Sequence, residues 1–169
     1  MDVIEAILTR RSIRKYSAEP VSEQDLATVL RAGSYAPSAH NLQPWRFIVV
    51  RDAQKLKEIA DRHRYASMLP GAGCGIIVCG DKAVQKKVGF LVEDCSAAIQ
   101  NMLLAAHSLG LGTVWCGVYP VTRLIKAFSA MLHLPGTIIP VGLVALGHKA
   151  EDRQVSERFD PSKVHFEQW

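Results

Sequence analysis

Four cations and a serine hydroxyl fall within Arg10-Arg11-Ser12-Ile13-Arg14-Lys15-Tyr16. Guanidinium groups grip phosphate through paired hydrogen bonds, and a serine hydroxyl or backbone N–H can fill the gaps between them. Arg10 and Arg14 stand four residues apart, so one helical turn puts them on one face. Arg11 would then point elsewhere, and an unbroken helix would scatter the charge. A break near Ser12 would let Arg10, Arg11 and Arg14 converge on one anion. The other reading of this run is a solvated basic patch at a helix C-terminus, where cations suit the dipole.

A second chemistry-bearing stretch is Ala36-Pro37-Ser38-Ala39-His40-Asn41-Leu42-Gln43-Pro44-Trp45. Its prolines and small polar residues make it a loop. Ser38, His40, Asn41 and Gln43 offer donors and acceptors, and Ser38 and Ala39 are small enough for a flat ligand to approach the backbone. Trp45 opens the apolar run Phe47-Ile48-Val49-Val50, which reads as a buried strand. An ordinary helix-to-strand connection with a tryptophan plug has the same composition.

At 169 residues the chain is one domain by length. Apolar residues make up 49%, enough for a sizeable core, and a 21% charged share argues against disorder. The formal charge is +4, much of it at residues 10–15, where one bound phosphate could neutralise it. No Lys/Arg stripe interleaved with aromatics marks a nucleic-acid surface. Cys74, Cys79, Cys95 and Cys116 form no C-x-x-C pair, and no histidine stands at zinc-ligand spacing from them. Cys79 and Cys116 sit in apolar runs as small hydrophobes, which suits a reducing compartment. Met1–Leu8 lacks the cationic start and apolar region of a signal peptide. Apolar stretches are broken short of about 18 residues. The expectation is a cytoplasmic protein with no membrane span and no metal.

The remaining elements have to position these two stretches. Asp2 can cap a first helix carrying Val3, Ile4, Ile7 and Leu8, which delivers the basic run. Ser22 and Asp25 make a near capping box for a helix with Leu26, Val29 and Leu30 on one face, ending near Gly33. A strand is expected at Trp45–Val50 and a helix at Ala53–Arg62. Residues 63–73 show no period. Gly71-Ala72-Gly73-Cys74-Gly75 precedes the strand Ile76–Cys79, whereas a dinucleotide loop follows a strand and opens a helix, so no Rossmann site is read there. Lys82–Lys87 is polar and expected to be exposed. Asp94–Leu109 is apolar almost all round, the mark of a helix buried on most faces, and a second subunit could supply cover. His107 near its end would suit the dipole as a cation. Strands are expected at Thr113–Val118 and Ile138–Leu146, with a helix between them capped by Thr122 and running through Leu132. Lys149–Trp169 is polar yet holds Phe159, Val164, Phe166 and Trp169, as a tail lying across another surface would. No Ser-His-Asp order, metal cluster or G-x-S-x-G elbow is present.

Together the two opening stretches resemble the flavin-dependent nitroreductase family, in its short single-domain form. Later segments extend the likeness: Asp94-Cys95-Ser96-Ala97-Ala98 and His107–Thr113 resemble its central helix, Trp115–Pro120 its flavin-edge strand, and Arg158–His165 its closing arm. The resemblance implies an α+β fold, a mixed sheet flanked by helices, over residues 1–169, with 149–169 an extended arm embracing a partner. It implies a homodimer with one FMN at each of two interface sites. Such an enzyme oxidises NAD(P)H by a ping-pong route, passing hydride to flavin N5 and electrons on to a nitroaromatic, quinone or similar small-molecule acceptor. Arg10 and Ser12 would hold the phosphate, with Arg11 near the ribityl–phosphate end and Arg158 closing over it. Arg14 would face the pyrimidine edge and tune the flavin, which itself carries the chemistry. Pro37, Ser38, Ala39 and Asn41 would come from the other subunit. Cys116, Gly117 and Val118 would line the flavin edge. Longer members carry Glu-Gly beside N5; here Tyr119-Pro120 stands at that place, so the N5 contact would come from the Gly117 or Val118 amide. Reductive dehalogenation or flavin fragmentation on the same scaffold, or a flavin-binding module without turnover, are the alternatives.

Overall fold

A computed structural model describes residues 1–169. The first helix, α1 (Val3–Thr9), is capped by the Asp2 carboxylate, which accepts the Glu5 N–H at 2.9 Å. It buries only Ala6; Val3, Ile4, Ile7 and Leu8 stay half or more exposed. α2 (Glu23–Ser34) starts from Ser22, whose hydroxyl accepts the Asp25 N–H and donates to the Asp25 carboxylate. β1 (Trp45–Val50) and α3 (Ala53–Arg62) follow. A short α4 (Leu69–Ala72), with Pro70 in its first turn and ended by the left-handed Gly73, lies in the stretch where the sequence shows no period. β2 (Cys74–Asp81) leads to α5 (Val88–Ser108), then β3 (Leu111–Gly117), α6 (Thr122–Met131) and β4 (Ile138–His148).

The four strands pair antiparallel in the order β1-β2-β4-β3, with the central strands β2 and β4 buried on both faces. Alternation along β4 sends Val144 and Leu146 to the side of α2 and α5, and Leu143 and Ala145 to the side of α3, α4 and α6. Two hydrophobic clusters therefore sandwich the sheet. The first is built on Val29, Ile99 and Met102, the second on Leu56, Ile59 and Phe128.

α5 begins six residues before the expected Asp94 and has no side-chain cap. By length and composition this longer helix could cross a membrane, but Leu91, Cys95, Ala98, Ile99, Met102, Leu103 and Ala106 pack into the first cluster, which makes it a core helix. Two other expectations are corrected. Thr122 is the first residue of α6, and the capping position is held by Val121 without a side-chain bond. Within Lys82–Lys87, Gln85 is buried and its Oε1 accepts the Lys87 N–H.

Candidate functional site

α1 ends at Thr9, three residues before the break expected near Ser12, and Arg10 already has extended backbone (ψ 129°). The chain then lies along the free edge of β3. Ile13 N–H donates to the Thr113 carbonyl at 2.9 Å, Ser12 bridges Thr113 in the parallel sense, and Tyr16 bridges Lys149. Ile13 points into the core, so the strand-like alternation turns Ser12 and Arg14 the other way. Gly112 permits this close approach: a Cβ there would stand 2.8 Å from Ile13 Cγ2.

The chain's other end meets this segment. Glu151 Oε1 accepts the N–H groups of Arg14 (2.6 Å) and Lys15 (3.2 Å), while Oε2 pairs with Arg153 at 2.9 Å. The Arg14 amide, helped by Arg153, holds this carboxyl below the ordinary glutamate value. A wholly polar cleft of about 460 Å³ results, lined by Arg10, Arg11, Ser12, Arg14, Arg153, Gln154 and Arg158. Of its five guanidiniums only Arg153 has a carboxylate partner. Arg10 is pushed below the usual arginine value, first by burial and then by the charges of Arg11 and Arg158. Arg11 spends its terminal nitrogens on the Leu8, Arg10 and Ser156 carbonyls, and its Nε is buried without a partner. Crowded cations with an orphaned donor fit a phosphate-sized oxyanion, which would relieve both.

Arg14 also lines a second cleft of about 340 Å³, with Arg64, Tyr65, Ser67, Met68, Val114, Trp115, Cys116 and Gly117. The two clefts are thus joined at Arg14, one cationic and one walled by aromatic and apolar groups. Neither lining contains a carboxylate. The Cys116 thiol turns inward, donating to the Tyr65 carbonyl at 3.1 Å; burial raises its pKa and the Arg14 charge pulls it back. Val118 is fully buried and its N–H goes to the Val141 carbonyl, so it is not free to meet a ligand. Antiparallel ladders alternate bonded and unbonded pairs. With Val118 bonded to Val141, the adjacent Gly117–Gly142 pair is the unbonded one, and Gly117 turns its backbone to the open edge. The His63 ring confirms that direction. Its Nδ1 accepts the Tyr65 N–H at 3.2 Å, so Nε2 carries the proton and donates to the Gly117 carbonyl at 2.8 Å.

The structure therefore brings together Arg10, Arg11, Ser12, Arg14, Cys116, Gly117 and Arg158. Pro37, Ser38, Ala39 and Asn41 line neither cleft of the same chain. Their loop is pinned from behind by the buried Asp94, whose Oδ1 accepts the Ala39 N–H at 2.8 Å, and His40, Asn41 and Gln43 all hold positive φ. At His107 the surroundings disfavour the helix-end cation. The Thr9 hydroxyl donates to Glu5 O and so accepts from His107 Nε2 at 2.8 Å, while burial and then Lys149 and Arg10 lower the ring's pKa. Sequence reasoning missed Arg153, Glu151, His63, Arg64, Tyr65 and Ser67. Only Arg153 carried a signal, a second arginine five residues before Arg158 in the polar tail.

A model of the nitroreductase family matches residues 7–66 and 62–148. A Methanothermobacter thermautotrophicus protein with the provisional name NADH dehydrogenase/NAD(P)H nitroreductase is 46% identical over 169 residues, covering 100% of this chain and 88% of that one. An FMN-dependent nitroreductase from Clostridium difficile superposes with a TM-score of 0.90 at 30% identity, over 98% of this chain and 99% of the other. A provisionally named nitroreductase from Desulfovibrio desulfuricans, solved in complex with FMN, gives 0.87 at 35% identity, over 100% and 98%.

Proposed function

The chain belongs to the nitroreductase family, and from that membership we propose that it is an FMN-dependent NAD(P)H oxidoreductase acting on small aromatic acceptors as a homodimer. The observation that carries this reading is the pair of clefts joined at Arg14, one suited to a phosphate and the other to a flat ring. When bound, FMN would supply the two-electron redox chemistry of a ping-pong route between NAD(P)H and a nitroaromatic, quinone or similar acceptor. Arg10, Ser12 and Arg158 hold the phosphate, Arg153 adds charge, and Arg11 braces the turn through its carbonyl contacts. Arg14 places a cation at the junction, by the pyrimidine edge. Gly117, held by His63 and free of the β4 ladder, directs its N–H to the N5 side. Tyr65 and Met68 narrow the ring cleft and exclude water. No side chain of the protein has to act as an acid or base.

A second copy completes the site. The exposed apolar face of α1, the exposed Phe159, Val164, Phe166 and Trp169 of the arm, and a loop at Pro37–Asn41 that serves neither cleft of its own chain all favour it. Exchange across the dimer would seat that loop over the partner's FMN. The decisive measurement is steady-state oxidation of NADH and NADPH by the FMN-loaded protein with a nitroaromatic or quinone. Parallel double-reciprocal lines are expected for the ping-pong route. A yellow protein that oxidises neither nicotinamide would refute the reading in favour of a binding module.

A further inference from the structure

Once a phosphate is matched by the first cleft and the pyrimidine edge by Arg14, the second cleft holds one cation with no charge left to meet. That cation is Arg64. It has no carboxylate partner: the nearest acid in sequence, Asp61, is bound to Lys57 at 2.8 Å, and Glu151 is taken by backbone amides and Arg153. Its Cζ lies 4.7 Å from the centre of the Tyr65 ring, a cation–π contact that draws the guanidinium to the cleft wall. Tyr65 is 63% exposed, so both groups face whatever stacks there. A guanidinium resting on an aromatic face, with its N–H edge unused, is the arrangement that pairs with a carboxylate or sulfonate on a flat molecule.

Resting on the oxidoreductase function above, we propose that Arg64 is a specificity residue and that the preferred acceptors are planar aromatics carrying an anionic substituent. For a nitrobenzoate the balance of one cycle is simple. NAD(P)H gives up a hydride and solvent gives a proton, one N–O bond of the nitro group breaks, and nitrosobenzoate, water and NAD(P)+ are released. The carboxylate takes no part in that balance, so Arg64 acts on recognition alone.

The test compares kcat/KM for 4-nitrobenzoate and for its neutral methyl ester, using the FMN-loaded protein with NADPH and again with NADH. The wild type is expected to favour the anion, and the preference should shrink as salt is raised. R64Q should cut the anion-to-ester ratio about fivefold, the upper end for an exposed ion pair, and R64K should retain part of it. A ratio unchanged in R64Q overturns the proposal, as does a change confined to the NADPH-to-NADH ratio, which would assign Arg64 to the donor's phosphate. If neither acceptor supports nicotinamide oxidation, the oxidoreductase reading itself fails. Turnover of both with an unaltered ratio sinks only the role of Arg64.

Discussion

Replacing Arg14 by Gln removes a cation from the junction of the two clefts while keeping a hydrogen-bond donor there. The backbone around it should not move, because Glu151 holds the Arg14 and Lys15 amides, not the side chain. A guanidinium facing the flavin N1–O2 edge meets negative charge that develops only on reduction, so it raises the midpoint potential. A hydrogen bond to a charged group contributes about 1.5–3 kcal/mol. Arg14 is exposed, and solvent screening argues for the low end of that range. For a two-electron couple about 1.4 kcal/mol corresponds to about 30 mV. R14Q should therefore lower the potential by roughly 30 mV, retain FMN, and slow hydride uptake from NAD(P)H in proportion to the lost driving force. A redox titration against dyes of known potential reads the shift directly. A potential equal to or above that of the wild type would show that Arg14 does not sit at that edge.

Arg10→Ala should loosen FMN about tenfold to a hundredfold, the effect of losing a charge-assisted contact of about 1.5–3 kcal/mol, while the rate with saturating FMN changes little; fluorescence titration measures it, and unchanged affinity returns Arg10 to a solvated patch. Gly147→Ala should destabilise by about 3 kcal/mol, the upper end for overpacking, because the new Cβ would stand 2.5 Å from the Ala72 carbonyl oxygen and 2.9 Å from Tyr16 Cδ1. At roughly 2–4 °C per kcal/mol for this chain length, the melting point should fall by about 6–12 °C, and a drop below about 2 °C would mean the backbone yields freely. Glu151 has a lowered folded-state pKa, so its contribution to stability is complete above the ordinary glutamate range and disappears as pH falls through the lowered value. E151Q should therefore melt below the wild type near neutrality and converge with it in acid; parallel Tm–pH curves would rule the linkage out. Deleting Phe159–Trp169 should weaken both self-association and FMN binding, and sedimentation showing an intact, FMN-loaded dimer would make the arm idle.

The bounds of β1 and α3 were legible because each is a short periodic run fenced by strong punctuation, Pro44 before one and Asp52 before the other. The start of α5 was not: Lys87 offers no capping side chain, so nothing in the sequence marks the turn before Asp94. α4 is too short for a period. The basic run and its convergence could be read because the residues are adjacent. Arg64 and Tyr65 could not, since α3 carries them in from a distant part of the chain and their own surroundings have no pattern. The choice between the Gly117 and Val118 amides depended on ladder phase, which a sequence does not encode.

Glu151 grips the backbone at Arg14 across a sequence separation of 137. On the ribosome this separation becomes a matter of timing. Residues 10–16 emerge first, yet they have no β3 edge to lie on until Leu111–Gly117 is out and no carboxylate clamp until residue 151 follows. Arg153 and Arg158 arrive later still. With the phosphate held as proposed, a nascent chain would display half of that cradle through most of its synthesis and would not retain the cofactor. Loading would then be the last act of maturation, and the yellow colour of the protein would report finished chains, not chains in progress.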